Sequence, residues 1–229
     1  MSTYEEILTV EMNSQVTLDT VYTEATYRRI VEDALYFLDQ SKKDNISGTE
    51  QNRYARMTIL LTPFYLESLS NLLFDALVSS ATKLEDVDHR RDLPKPIRRF
   101  SAAYFQLYKE PFSLSIDCVR DIFTIRNKVI AHPTAFSSER HSETAPGYWD
   151  RSRQDMSISY LKFKGFPFTY TQFTSQHAQV VLKAAGDFLI EFHRLLKGKL
   201  SDERLLNACW PVELIEWEKK GEYIKSVEL

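Results

Sequence analysis

Arg126 is the side chain with the most chemical consequence in the chain, because of the neighbours its spacing gives it. At 100° per residue along a helix over 113–131, Val119, Ile122, Phe123, Ile125, Val129 and Ile130 fill one broad apolar arc. Arg126 falls near the middle of that arc. Asp117, Arg120, Asp121, Thr124, Asn127 and Lys128 take the opposite side. A guanidinium set among apolar side chains must meet a carboxylate, a phosphate or a second chain.

A second helix carries a matching oddity. Leu60, Phe64, Phe74 and Val78 share a face of a long apolar helix over 52–83, and Glu67 and Asn71 sit one turn apart inside that stripe. An unpartnered buried glutamate tends to stay protonated. The simplest resolution places Glu67 against Arg126 across the bundle, with Asn71 completing the hydrogen bonds. Two readings stand at this point: an ion pair that fixes helix register, or a polar site assembled on a rigid frame.

The motif Arg126-Asn127-Lys128-Val129-Ile130-Ala131-His132-Pro133 adds an imidazole at the end of the arginine's helix. In an ideal helix Arg126 and His132 lie about 120° apart, but Pro133 disrupts the last turn and lets the two converge. The helix C-terminus favours the charged imidazolium.

The elements that must position these groups are mostly helical. A helix is expected over 16–42, with Tyr27, Ile30, Val31, Ala34, Phe37 and Leu38 on one face, after an N-terminal extension 1–15. A polar connector, 42–51, leads to the central helix, which Pro63 should kink. Helices over 96–109 and 113–131 are separated by Pro111, and Pro133 ends the second. An insertion spans 134–173. Within it a small β-hairpin or extended stretch is expected around 156–171, where aromatic and β-branched residues cluster about Gly165. Helices over 175–197 and 211–220 close the chain. The fold class is therefore mainly α, a single-domain helical bundle over 1–229.

Composition narrows the partners. Lys+Arg 29 against Asp+Glu 32 gives a net charge of −3, unlike domains that coat nucleic acid through a strongly basic surface. Only 6 Gly and 8 Pro disfavour an all-β fold with many tight turns. The N-terminal stretch has neither a basic leader nor an apolar core, and no run reaches about 18 uninterrupted apolar residues. The expectation is a cytoplasmic chain without a membrane span, holding Cys118 and Cys209 as buried free thiols.

The residues Arg126-Asn127, four further residues and His132, late in an all-helical chain, resemble the signature of the HEPN superfamily. Glu67-x-x-x-Asn71 is similar to the Glu-x-x-x-Asn pattern on an early helix of many HEPN proteins. The resemblance covers about 52–133 and, more loosely, the first and late helices. It implies a bundle of four or five helices that often forms a homodimer, with two Arg–His motifs in one cleft. Active members are metal-independent ribonucleases of toxin–antitoxin, abortive-infection and CRISPR systems; others are inactive or bind nucleotides.

Carried onto this chain, the resemblance implies that Arg126 holds the scissile phosphate and its developing charge. His132 would act as general acid or base on the 2′-hydroxyl or the leaving oxygen. Asn127 would orient the pair or the phosphate, and Glu67 would hold Arg126. The function implied is a metal-independent endoribonuclease of bacterial defence or stress, with RNA as substrate and an antitoxin or other protein as a further partner. The alternative is a non-catalytic HEPN-like module that binds RNA, a nucleotide or a partner protein. The insertion 134–173 has no placed counterpart in the family.

Lys128 and the basic stretch containing Arg90, Arg91, Arg98 and Arg99 are candidate RNA contacts; the plainer reading of the stretch is a solvated loop and helix start. His89, His141, His177 and His193 show no metal spacing, and no HExxH motif is present, so neither a metal nor a cofactor is expected. The chain has no phosphate-binding P-loop, no GxGxxG turn and no GxSxG elbow.

Overall fold

A capping box starts the longest helix. Ser47 Oγ accepts from the Glu50 backbone N–H at 3.2 Å, and Glu50 Oε2 accepts from the Ser47 N–H at 3.0 Å. The central helix therefore begins at Gly48, inside the stretch expected to be a connector, and runs to Leu77. The computed structural model describes residues 27–78, 83, 84, 88, 90–130, 161–163, 166, 167 and 170–219. About 75% of these are helical and none is in a strand.

The helices follow in order: α1 (27–41), α2 (Gly48–Leu77), α3 (Lys95–Tyr108), α4 (Asp117–Thr124), α5 (Ser175–Lys197), α6 (Glu203–Ala208) and α7 (Val212–Lys219). α4 passes directly into a π-helical segment, Ile125–Ile130. α5 has the bounds its sequence periodicity predicts. α4 starts later than expected, with residues 113–116 outside it, and α6 was not expected. Of the expected hairpin, residues 161–163 and 166–167 are irregular, and Tyr170–Gln172 forms a 3-10 turn; the rest lies outside the described residues.

α2 is the hub of the bundle, packed on α3, α5 and the α4–π element. Ala55, Ile59, Leu66, Leu69 and Leu73 on it are completely buried, each large aliphatic contributing about 1.5–3 kcal/mol. The helix is continuous through Pro63. Thr58 Oγ1 donates to the Ala34 carbonyl at 3.0 Å, stitching α1 to α2. Among the described residues α2 is the one helix long and apolar enough to cross a membrane, yet 56% of its most apolar window is buried by the rest of the bundle.

α3 and α5 pack through aromatics. Phe100 meets Phe188 and Phe192 edge-on, with ring centres 5.2 and 5.0 Å apart, and Tyr108 Oη donates to the Leu195 carbonyl at 2.6 Å. α7 lies close on α5 at Gly186, where a Cβ would stand 3.3 Å from Leu214 Cδ1. Both cysteines are free. Cys209 is buried and its thiol is pushed far up by burial, whereas Cys118 is only half-buried.

Candidate active site

The motif helix changes its hydrogen-bond register where Arg126 sits. α4 is an ordinary α-helix to Thr124, and Ile125–Ile130 is π-helical, with i→i+5 bonds of the kind that often mark functional positions. The even 100° rotation expected through 131 therefore stops at Thr124. Ile125 and Val129 remain buried in the core, Arg126 and Asn127 are half-buried, and Lys128 is exposed.

The structure brings Arg126 and Glu67 together. Arg126 Nη1 donates to Glu67 Oε2 at 2.7 Å, with 22% and 34% of the two side chains exposed. Arg126 Nε donates to Asn127 Oδ1 at 2.9 Å. The guanidinium carbon lies 5.1 Å from the centre of the Phe64 ring and 5.7 Å from that of Phe123, near enough for cation–π attraction. These contacts fix the plane of the guanidinium and leave Nη2 without a hydrogen bond among the described residues.

Asn71 does not complete this network. Its Oδ1 is buried without a hydrogen-bond partner. Asn127, next to Arg126 in the chain, supplies the second acceptor instead, for Nε. His132, the expected acid or base, lies outside the described residues, as do His89 and His141.

Beside Arg126 opens a cleft of about 340 Å³. Asp92, Leu93 and Pro94, just before α3, line one wall; Arg120, Phe123, Thr124, Asn127 and Lys128 line the other. Phe123 and Asn127 thus touch both the Arg126 guanidinium and the cleft. Arg120 was expected only as a solvated residue of the polar side.

The basic stretch divides into two kinds of cation. Arg98 is 4% exposed, and its Nη2 donates to the Asp88 carbonyl oxygen, so it is a buried structural cation rather than a surface RNA contact. Arg90 grips the Asp88 carboxylate through Nε and Nη2 and also reaches Ser101 Oγ at 2.5 Å. Burial alone would raise the Asp88 carboxyl, but the Arg90 hydrogen bonds and charge outweigh it and hold the group below the usual range. Arg91 is exposed and Arg99 half-buried.

Asp121 is an anchoring residue that the periodicity concealed. The helical wheel puts it on the polar side, yet it is 1% exposed. Its carboxylate accepts three successive backbone N–H groups, from Leu161 at 3.0 Å and from Lys162 and Phe163 at 2.6 and 3.0 Å. The returning end of the insertion is thereby fastened to the helix that carries Arg126. Phe163, Phe166 and Phe173 are buried beside it and continue into the core under α5.

Among the described residues no three of His, Cys, Asp and Glu gather into a group that could hold a metal ion. No family model, curated protein or solved structure matches the chain.

Proposed function

We propose that the chain is a HEPN-like, metal-independent endoribonuclease with a bacterial defence or stress role, acting as a homodimer in the cytoplasm. The observation that carries this reading is the held guanidinium. Glu67, Asn127 and two aromatic rings fix Arg126, its Nη2 has no hydrogen bond among the described residues, and Phe123 and Asn127, which hold it, also line the neighbouring cleft. A positioned fork of N–H donors suits the oxygens of a phosphate and the charge they gain in the transition state.

In the proposed reaction the 2′-oxygen of RNA attacks the adjacent phosphorus. The bond to the 5′-oxygen breaks and a 2′,3′-cyclic phosphate forms. His132 takes the 2′-hydroxyl proton or protonates the leaving 5′-oxygen, the work of a group that titrates near neutrality. Arg126 holds the phosphate, Glu67 positions Arg126, and Asn127 orients the guanidinium.

The test uses the purified full chain on a pool of single-stranded RNA in EDTA. Fragments ending in a cyclic phosphate, or its hydrolysis product, are expected. His132→Ala should abolish cleavage and leave the circular dichroism spectrum unchanged. An intact RNA pool at high enzyme concentration would overturn the reading.

A second reading has its own support. The three-way hold on Arg126 is also what a purely structural pair needs, and it fits a non-catalytic HEPN-like module that binds RNA, a nucleotide or a partner protein. Under that reading Arg126→Ala lowers the melting temperature and wild type shows no nuclease activity.

A further inference from the structure

The cleft beside Arg126 has a composition that the motif alone does not explain. Arg120 and Lys128 are both exposed and stand roughly two helical turns apart along one wall. Neither makes an ion pair among the described residues. Among the described residues the one carboxylate on the lining is Asp92, within electrostatic reach of Arg90. Two cations against one carboxylate make the described lining net positive. Leu93 and Pro94 on one wall and Phe123 on the other are the apolar part of the lining; Phe123 and Leu93 are buried and Pro94 is half-buried.

Hydrogen-bonding capacity remains on the same wall. Asn127 has its oxygen committed to Arg126, and among the described residues its amide N–H groups remain as donors. Thr124 Oγ1 donates to the Arg120 carbonyl at 2.9 Å, so its lone pairs remain as acceptors. The space, about 340 Å³, falls at the small end of ligand pockets and suits one nucleotide rather than several.

We infer that this cleft is a nucleotide subsite. The phosphate lies between Arg120 and Lys128, the base packs beside Pro94, and Asn127 and Thr124 meet its polar edge. Asn127 and Phe123 join the subsite to Arg126, so a strand with one phosphate on Arg126 places a neighbouring nucleotide in the cleft. The inference rests on the RNA-recognition part of the reading above and adds Arg120 and Thr124 to the residues that carry it. An acidic peptide would need only the two cations.

The experiment reads binding without turnover. A fluorescent 2′-O-methyl oligoribonucleotide, whose blocked 2′-oxygen cannot attack, is titrated with the full chain and followed by anisotropy at several salt concentrations. Arg120→Gln and Lys128→Gln should each weaken binding on the order of fivefold and lower the salt slope by about 0.7. Both positions are exposed, so both variants should fold, and Arg194→Gln on α5 is the control.

Displacement separates the sources of the nucleotide. A nucleoside 5′-monophosphate that competes as well as the strand identifies a free nucleotide, and competition that grows with oligonucleotide length identifies RNA. Either result supports the subsite. Unchanged affinity in Arg120→Gln/Lys128→Gln overturns it, as does equal displacement by poly-glutamate. A double variant that binds and cleaves like wild type removes the subsite and leaves the ribonuclease reading in place. A wild type that binds through the cleft but cleaves nothing does the reverse.

Discussion

Arg126 and Glu67 meet at 2.7 Å across 59 residues of sequence, joining the π-helical segment to α2 while both side chains keep part of their surface in water. That partial exposure sets the scale. An ion pair of this kind contributes about 1 kcal/mol or less, and each ring contact of the guanidinium adds about 0.5–1 kcal/mol. Arg126 stands in all of these contacts and Glu67 in one. Arg126→Ala should therefore cost about 1–3 kcal/mol in urea unfolding, and Glu67→Gln about 1 kcal/mol or less. Equal losses would show that the rings and the Asn127 hydrogen bond contribute nothing.

Asp121 should be the more severe site, although it touches no candidate catalytic group. Replacing it strands three buried or half-buried N–H donors, and each unsatisfied donor costs about 1–3 kcal/mol before the chain relaxes. Asp121→Asn keeps the shape but turns an amide N–H2 toward those donors. It should lower stability by about 2–4 kcal/mol. Amide hydrogen exchange at Leu161, Lys162 and Phe163 should accelerate more than exchange in α5. Unaltered protection at those three amides would mean that the insertion is fastened by its phenylalanines alone.

These two residues mark what the sequence discloses and what it hides. The Glu67–Arg126 pairing is legible because a charge in the middle of an apolar stripe needs an opposite charge nearby. α5 is legible to the residue because its apolar period is unbroken from Val181 to Leu195. The start of α2 is legible too, in Ser47-x-x-Glu50, a spacing that the polar character of the connector masks. Asp121 is not legible, because the chain that buries it returns from 40 residues away. The π-helical register is a property of backbone hydrogen bonding and leaves no mark on the hydrophobic period. Asn71 shows the converse error: its place one turn from Glu67 is correct, but Asn127 fills the role assigned to it.

The basic stretch offers a separation of charge from stability. Arg98 is buried and bound to Asp88, whereas Arg91 is exposed. Arg98→Ala removes one cation from a buried carboxylate that Arg90 still holds. It should cost about 2 kcal/mol, below the usual penalty for a wholly orphaned buried charge. Arg91→Ala should change stability by less than about 0.5 kcal/mol and act, if the stretch meets RNA, only on the salt dependence of binding. A loss of RNA affinity in Arg98→Ala at a temperature where it remains fully folded would count against its structural role.

His177 gives the bundle a pH dependence with a definite sign. Its Nδ1 accepts from the Thr174 N–H at 3.0 Å at the start of α5, which requires an unprotonated nitrogen, and burial pushes its pKa below the ordinary value. The unfolded imidazole titrates at about 6.5. As pH falls through that point the unfolded chain binds a proton that the folded chain refuses, so stability drops until the folded imidazole titrates as well. His193 adds to the same slope, pushed down by its own burial and by Lys197. His177→Gln keeps an acceptor for the Thr174 N–H and cannot titrate. It should match wild type in urea unfolding at pH 7.5 and exceed it at pH 5.5. Parallel losses in the two proteins would place the acid sensitivity elsewhere in the bundle.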